Sequence, residues 1–359
     1  MTPVSLLIDT ISQRLERFSA EQEAEAAGLG DEAKGFVARA AASLDGGKRL
    51  RGRFCATGWQ AVAGEDAIPP AVVDACASLE VFQAAALVHD DLIDNSDTRR
   101  GRPSAHRALE AWHRHAGWSG DADAFGRAGS VLLGDLLLSW SADLFETALA
   151  RLGASPTRAR AEYGRMRREV MVGQFLDVAE ESAWPRVPAS EHAARALRIA
   201  SLKSARYSVQ QPLVIGGALA AGSEGRLASL AEVGHPLGLA FQLRDDVLGV
   251  FGDESETGKP AGDDLREGKR TLLIAYAREA ADASAREEID VLLGDRQLDE
   301  GQIEALRDTI VTTGALARVE ELIARYAEDA ARALSSASFD DAAVAELHAL
   351  VSAATQRSS

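Results

Sequence analysis

Residues 69–94 read PPAVVDACASLEVFQAAALVHDDLID. Two prolines open the stretch, and Pro70 suits the first position of a helix, where the missing N–H costs nothing. No glycine or proline follows before residue 94. The run is apolar on nearly every side, and a helix that is hydrophobic all round belongs in a core. It then stops abruptly on Asp90, Asp91 and Asp94. This stretch predicts a long buried helix with an acidic end, and therefore a fold built around helices.

The flanking sequence agrees. Thr2-Pro3 reads as an N-cap with proline behind it, and Val4, Leu7, Ile8, Ile11, Leu15 and Phe18 recur at helical spacing. Further helices are expected over 31–44, from 50 to just before Gly64, over 124–152 and over 156–182. Another, capped by Ser190, should run through Lys203 toward Pro212, and one more from beyond Gly222 to 250. Residues 95–123 and 252–268 are rich in glycine and charge and read as loops, the first with at most short helical turns. Amphipathic helices, including 304–313 and 316–334, fill the rest, and the last few residues should fray. Alternating strand patterns are scarce. The expectation is an all-α fold, one domain over residues 1–359 with no clear linker.

Composition narrows the function classes. The chain has 359 residues, 46% of them hydrophobic but only 5% aromatic, which favours helix over strand in a globular protein. A formal charge of −16 argues against nucleic acid and against a polybasic membrane anchor. Cys55 and Cys76 lack metal-ligand spacing and read as buried apolar residues. No leader pattern is visible and no apolar run looks long enough to cross a bilayer, so the cytoplasm is the expected compartment.

The acidic helix end carries the chemistry. Asp90 and Asp94, four apart, share a face with Asp91 alongside. Negative charge at a helix C-terminus is disfavoured by roughly 0.3–1 kcal/mol per group, so a cation should offset it. A solvated acidic end paired with Arg99 and Arg100 is the plain alternative. A second block tips the balance. Phe241-Gln242 precede Asp245-Asp246 just as Phe82-Gln83 precede Asp90-Asp91, and each block is followed by a cationic glycine loop, Arg99-Arg100-Gly101 or Lys259-Pro260. Two such clusters facing across a cavity could hold several Mg²⁺ ions that bridge to a diphosphate. Lys48 and Arg51, behind Gly46-Gly47 at a helix start, form a plausible anion site. Lys203, Lys269 and Arg270 add further cations.

Together these residues resemble the trans-isoprenyl diphosphate synthases. The strings LVHDDLIDNSDTRRGRPSAH (87–106) and FQLRDDVLGVFGDESETGKPAGDDLREGKRT (241–271) are similar to that family's two aspartate-rich regions. GGKRLR (46–51), Gly134-Asp135, Gly173-Gln174 with Asp177, and Lys203-Ser204 follow in the family's order. The resemblance spans nearly the whole chain. It implies a helical bundle around a deep central cavity, usually a homodimer, joining isopentenyl diphosphate head to tail to an allylic diphosphate with Mg²⁺. By the same resemblance Asp90, Asp91, Asp94 and Asp245 would bind Mg²⁺. Lys48, Arg51, Gln83 and Arg100 would bind isopentenyl diphosphate. Arg99, Lys203, Lys259 and Lys269 would hold the allylic diphosphate, and Gln174, Ser204 and Gln242 would line the reacting carbons. Asp177 would support the metal site or the Lys203 region. One departure stands out: the second block ends at Gly249 where the family often has a third aspartate, which leaves Asp245 as its main ligand and Asp246 without a clear metal role.

Ala85 and Ala86 lie one turn before the first block, where bulky aromatics accompany short products in the family; Phe82 lies a turn further on. The small pair implies geranylgeranyl diphosphate as the main product, with farnesyl or longer polyprenyl diphosphates as alternatives. A class I terpene cyclase would not need Lys48, Arg51 and Arg100. A non-catalytic partner subunit would be expected to have lost more of these residues.

Overall fold

The structure, a computed structural model, describes residues 3–65, 67–152, 157–252 and 262–356. Its long elements are helices: α1 (Pro3–Ala26), α2 (Asp31–Ala42), α3 (Leu50–Ala63), α4 (Pro70–Ile93), α5 (Ala105–His115), α6 (Ala122–Leu152), α7 (Thr157–Ala183), α8 (Ala189–Ile199), α9 (Gln211–Leu219) and α10 (Glu224–Phe251). After the second acidic block come α11 (Asp263–Glu267), α12 (Leu272–Ala280), α13 (Ala283–Leu292), α14 (Glu300–Thr312), α15 (Ala315–Ser336) and α16 (Asp341–Gln356). Among the described residues the strand content is a two-stranded antiparallel ribbon, Thr98–Arg99 with Arg102–Pro103. The all-α expectation holds. Contacts divide the chain into two compact units, one of residues 1–56 and 65–156, the other of 57–64 and 157–359.

The first unit is organised on α4. Its residues from Ala71 to Phe82 are all buried, as are Ala84, Ala85, Val88 and Asp91. α6 packs along it. The two helices approach closely at a pair of buried serines: Ser78 Oγ donates to the Ser141 carbonyl and Ser141 Oγ to the Ser78 carbonyl, each at 2.7 Å. Small side chains whose hydroxyls bond the facing backbone let two helices close up without orphaned polar groups. Asp74, fully buried on α4, is bound by Arg14 of α1 at 2.5 Å and Arg151 of α6 at 2.6 Å. Cys55 and Cys76 are buried free thiols, as expected.

Two sequence expectations are corrected here. α4 and α6 are both long and apolar enough to cross a bilayer, but 83% of the apolar window of α4 is buried in the protein, against 44% for α6. α4 is thus a core helix. Residues 95–123 are not simply loop, because they contain the ribbon and the eleven-residue α5. Glycine and charge on either side obscure that helix. It is held by Leu109 and His113 against the core, by basic residues in its last turn that suit the helix dipole, and by a ring cluster of Trp112, Trp118 and Phe125.

In the second unit α10 packs against α15 and against a π-helical stretch, Ala200–Gln210, that joins α8 to α9 without a break. α8 begins behind Pro188 rather than behind Ser190. Glycines clasp the π stretch. A Cβ on Gly173 of α7 would lie 2.5 Å from the Lys203 nitrogen, and Cβ atoms on Gly238 and Gly234 would lie 2.8 Å from the Ala205 and Gln210 Cα atoms. Only glycine permits backbones to approach so closely. π-helical turns are rare and recur at functional sites, and this one carries Lys203 and Ser204.

Candidate active site

In the first unit the site grows from the C-terminal end of α4. Asp94 caps the helix, its N–H donating to the Asp90 carbonyl at 2.8 Å. The three aspartates are not equivalent. Asp91 is 2% exposed and accepts from both Nε (2.8 Å) and Nη2 of Arg99. Asp90 and Asp94 are half-buried, and Arg99 reaches Asp90 only at 3.8 Å. The cation that offsets the buried member of this helix end is therefore a side chain of the protein. Asp90 and Asp94 present the more accessible carboxylates. His89, just before them, fits against Gly134 of α6, where a Cβ would lie 2.5 Å from its Cδ2.

Arg99 and Arg100 owe their placement to the ribbon. Arg100 and Gly101 both have positive φ (+52° and +72°) between the paired strands, the geometry of a tight hairpin turn. Arg99, on the strand, turns to Asp91, while Arg100 at the turn donates Nη1 to the Asp45 carbonyl at 3.0 Å. Its guanidinium lies over Gly47, where a Cβ would sit 3.0 Å from Nη2. Gly46 and Gly47 have φ of +69° and +93°, so these glycines serve both a left-handed backbone and the close pass of Arg100. Burial, followed by the neighbouring charges of Arg49 and Arg99, pulls the Arg100 guanidinium below its usual value. Such crowded cations favour an anion. Lys48 is exposed, and Arg51 and Gln83 are half-buried, within the same unit. A cavity of about 470 Å³ lies here, with Arg99, Arg100 and Arg102 on its polar side and Ala84, Val88 and Leu133 on its apolar side.

In the second unit Lys203 pairs with Asp177 at 2.5 Å. Gly173 and Asp177 stand one helical turn apart on α7, so one face both admits the π stretch and holds its lysine. Gln174 and Ser204 are neighbours of this pair in sequence and are half-buried. Burial, with Asp177 nearby, raises the Glu181 carboxyl.

The end of α10 carries the second acidic block, and its two aspartates differ in exposure. Asp245 is exposed, whereas Asp246 is 8% exposed and accepts from Gln242 Nε2 at 2.7 Å. Burial and then the charge of Asp264 push the Asp246 carboxyl up to about 7. Lys269 bonds Asp264 at 3.1 Å and Glu267 at 2.7 Å. Lys259 falls outside the described residues.

Mg²⁺ typically takes one or two carboxylates and completes its shell with water and substrate phosphate. Among the described residues no group of three or more His, Cys, Asp or Glu side chains is gathered as a closed metal cage. Accessible hard-oxygen donors at Asp90 and Asp94 in the first unit, and separately at Asp245 in the second, each fit an ion shared with a phosphate. From the sequence, Asp264 is only an acidic neighbour of the second block, flanked by Lys269, and the pairing of the first block with Arg99 is only the plain alternative; which carboxylate takes Arg99 is decided by the fold. The adjacent Arg100-Gly101 was the available signal for the hairpin that builds this pairing.

Comparison with known proteins gives a consistent picture. The family model described as polyprenyl synthetase matches residues 37–310. The geranylfarnesyl diphosphate synthase of Aeropyrum pernix is 32% identical over 84% of this chain and 87% of its own length. A chloroplastic large subunit of a heterodimeric geranylgeranyl pyrophosphate synthase from Arabidopsis thaliana is 31% identical over 70% of this chain, and 64% of that protein is covered. A geranylgeranyl pyrophosphate synthase from Corynebacterium glutamicum, solved with isoprenyl diphosphate and magnesium, superposes with a TM-score of 0.91 at 39% identity over 98% of both chains.

Proposed function

Because the chain belongs to the polyprenyl synthetase family and is a trans-prenyltransferase of the all-α isoprenoid synthase fold, we propose that it condenses isopentenyl diphosphate head to tail with an allylic diphosphate to make geranylgeranyl diphosphate. The observation that carries the reading is the end of α4, where two accessible aspartates sit beside an arginine hairpin. Bound Mg²⁺ would neutralise charge developing on the departing diphosphate. Asp90 and Asp94 would hold it at the allylic diphosphate, and Asp245 would hold a further ion. Asp91 acts differently: it fixes Arg99, which contacts the allylic diphosphate. Arg100, Lys48, Arg51 and Gln83 bind the diphosphate of the second substrate.

Lys203, paired with Asp177, would hold the allylic diphosphate, with Lys259 and Lys269 assisting. Gln174, Ser204 and Gln242 offer oxygen dipoles to the allylic cation. The double bond of isopentenyl diphosphate attacks that cation, a carbon–carbon bond forms, and a proton leaves to the departed diphosphate. The growing chain is accommodated by small Ala85 and Ala86 above Phe82.

Exposed apolar side chains on α6 (Val131, Leu132) and on α7 (Met171, Val172, Phe175) support a homodimer. A cytoplasmic location belongs to the same proposal.

The test is product chromatography with each allylic primer. Asp90→Ala and Asp245→Ala should each cut turnover by at least about 10²-fold, as loss of electrostatic stabilisation does. Near-normal turnover in both variants would sink the assignment.

A further inference from the structure

Between Lys48 and Arg51 stands a third cation that the reaction leaves unused. Arg49 is 8% exposed, whereas Lys48 beside it is exposed. Its backbone has φ +50°. Residues other than glycine stay in that left-handed region only where their surroundings hold them. The Arg49 side chain is held on two sides. Its Nη2 donates to the Leu44 carbonyl at 2.9 Å, and its Nε donates to Ser12 Oγ of α1 at 3.3 Å. Its own carbonyl accepts the Arg53 N–H at 2.9 Å, which opens α3. One residue thus starts α3, ties it back to the residue before the Asp45–Lys48 loop, and fastens both to α1. That loop also serves Arg100, which bonds the Asp45 carbonyl and passes over Gly47. Glu80 of α4, 7% exposed, adds an anchor from the other side, its Oε1 accepting the Gly52 N–H at 2.9 Å. Gly52 is the third residue of α3, so this carboxylate satisfies one of the donors that a helix start leaves open. The protein's own carboxylate has taken that donor, and an incoming diphosphate must rely more on side chains.

We propose that Arg49 is a positioning residue for the diphosphate of isopentenyl diphosphate: it does not touch the substrate but clamps both ends of the loop that presents Lys48. The inference rests on the reading of Lys48, Arg51 and Arg100 as the binding groups for that diphosphate. A long lysine side chain recognises an anion only as well as the backbone beneath it is fixed, and three flexible residues precede Lys48, two of them the glycines at φ +69° and +93°. The Arg49 clamp offsets that freedom. Within the GGKRLR string, alternate cations therefore divide the work: Lys48 and Arg51 meet the substrate, and Arg49 faces inward and holds the loop.

The test is a kinetic cycle on Arg49→Gly, Lys48→Ala and the double variant, with melting temperatures alongside. Arg49→Gly takes the left-handed backbone without strain and removes only the side-chain ties. KM would be measured for isopentenyl diphosphate at saturating allylic diphosphate and Mg²⁺, and then with the roles reversed. Misplacing a positioning group costs up to about 10²-fold, so Arg49→Gly should raise KM for isopentenyl diphosphate roughly 10–100-fold and leave KM for the allylic substrate near wild type. Because Arg49 acts through the loop that carries Lys48, the loss in the double variant should fall well short of the product of the single losses. Arg49→Met, which keeps the buried stem and removes the donors, should show the same selective rise and carries the comparison if Arg49→Gly unfolds. If Lys48→Ala raises KM but Arg49→Gly and Arg49→Met do not, the clamp is overturned while the binding site stands. A rise in both KM values alike would reduce Arg49 to general structure, and a full product of losses would put it in direct contact with the substrate; either overturns the proposal. Unchanged KM in Lys48→Ala would overturn the site reading, and the inference with it.

Discussion

Gly173→Ala should injure catalysis at least as much as stability. A Cβ at residue 173 would stand 2.5 Å from the Lys203 nitrogen and 2.8 Å from the Leu202 carbonyl carbon and the Lys203 Cα. These are backbone atoms of the π stretch, so no side chain can swing aside. To reach ordinary contact the stretch must retreat by about 1 Å. Two effects on folding oppose each other. Alanine is favoured over glycine inside a helix by roughly 1 kcal/mol, and overpacking costs roughly 1–3 kcal/mol. The net loss should be at most about 2 kcal/mol.

Catalysis has no such compensation. The moving segment carries Lys203, whose Nζ lies 2.5 Å from Asp177, and displacing a positioning group by about 1 Å can cost on the order of 10²-fold. Gly164→Ala, on the same helix, is the control, because its Cβ would meet only the flexible guanidinium of Arg168 at 3.2 Å. Steady-state kinetics with varied allylic diphosphate, together with urea unfolding, would compare the two. The expected result is a kcat/KM lowered roughly 10–100-fold in Gly173→Ala and near wild type in Gly164→Ala. If both variants turn over alike, close packing at Gly173 does not set the place of Lys203.

Three further outcomes follow from the geometry. The Asp246 carboxyl titrates near 7 in the folded protein and near 3.8 when exposed; the folded state therefore holds the extra proton between those values, and this group's contribution falls as pH rises through that window. Asp246→Asn should consequently stabilise the metal-free protein by a few kcal/mol more at pH 8 than at pH 4, since each pH unit of that window is worth on the order of 1.4 kcal/mol, and an equal gain at both pH values in urea titrations would refute this. Asp74→Ala leaves the 89%-buried Arg14 without its carboxylate and should cost about 3 kcal/mol, the lower end of the range for breaking a buried pair, since Arg151 is half exposed; Arg151→Ala should cost much less in the same unfolding assay. Phe82→Ala, at a side chain only 2% exposed on α4, should shift products toward longer chains, and an unchanged chromatogram would remove Phe82 as the floor.

What could be read from the sequence was what neighbours along the chain decide. α4 was legible because Pro70 starts it, nothing breaks it and its apolar residues run all round. The first acidic block was legible because four-residue spacing puts Asp90 and Asp94 on one face whatever the surroundings, and the second because Phe241-Gln242 repeat the lead-in of the first. The sequence set Asp245 apart from Asp246 only through the family resemblance and Gly249; that one is exposed and the other buried came from the packing of α10. α5 was missed because its amphipathic face is short and lies between glycine-rich turns that dominate a local reading.

What only the tertiary structure decided was the pairing of charges. Whether Asp91 serves a metal or an arginine depends on a hairpin that returns Arg99 to it across eight residues. Lys203 meets Asp177 from 26 residues away, through a π-helical stretch that the glycines of α7 and α10 allow. Charge preference is local only in part: a carboxylate's neighbours along the helix determine its face, and the packing of other helices determines which cation reaches it and how much water remains.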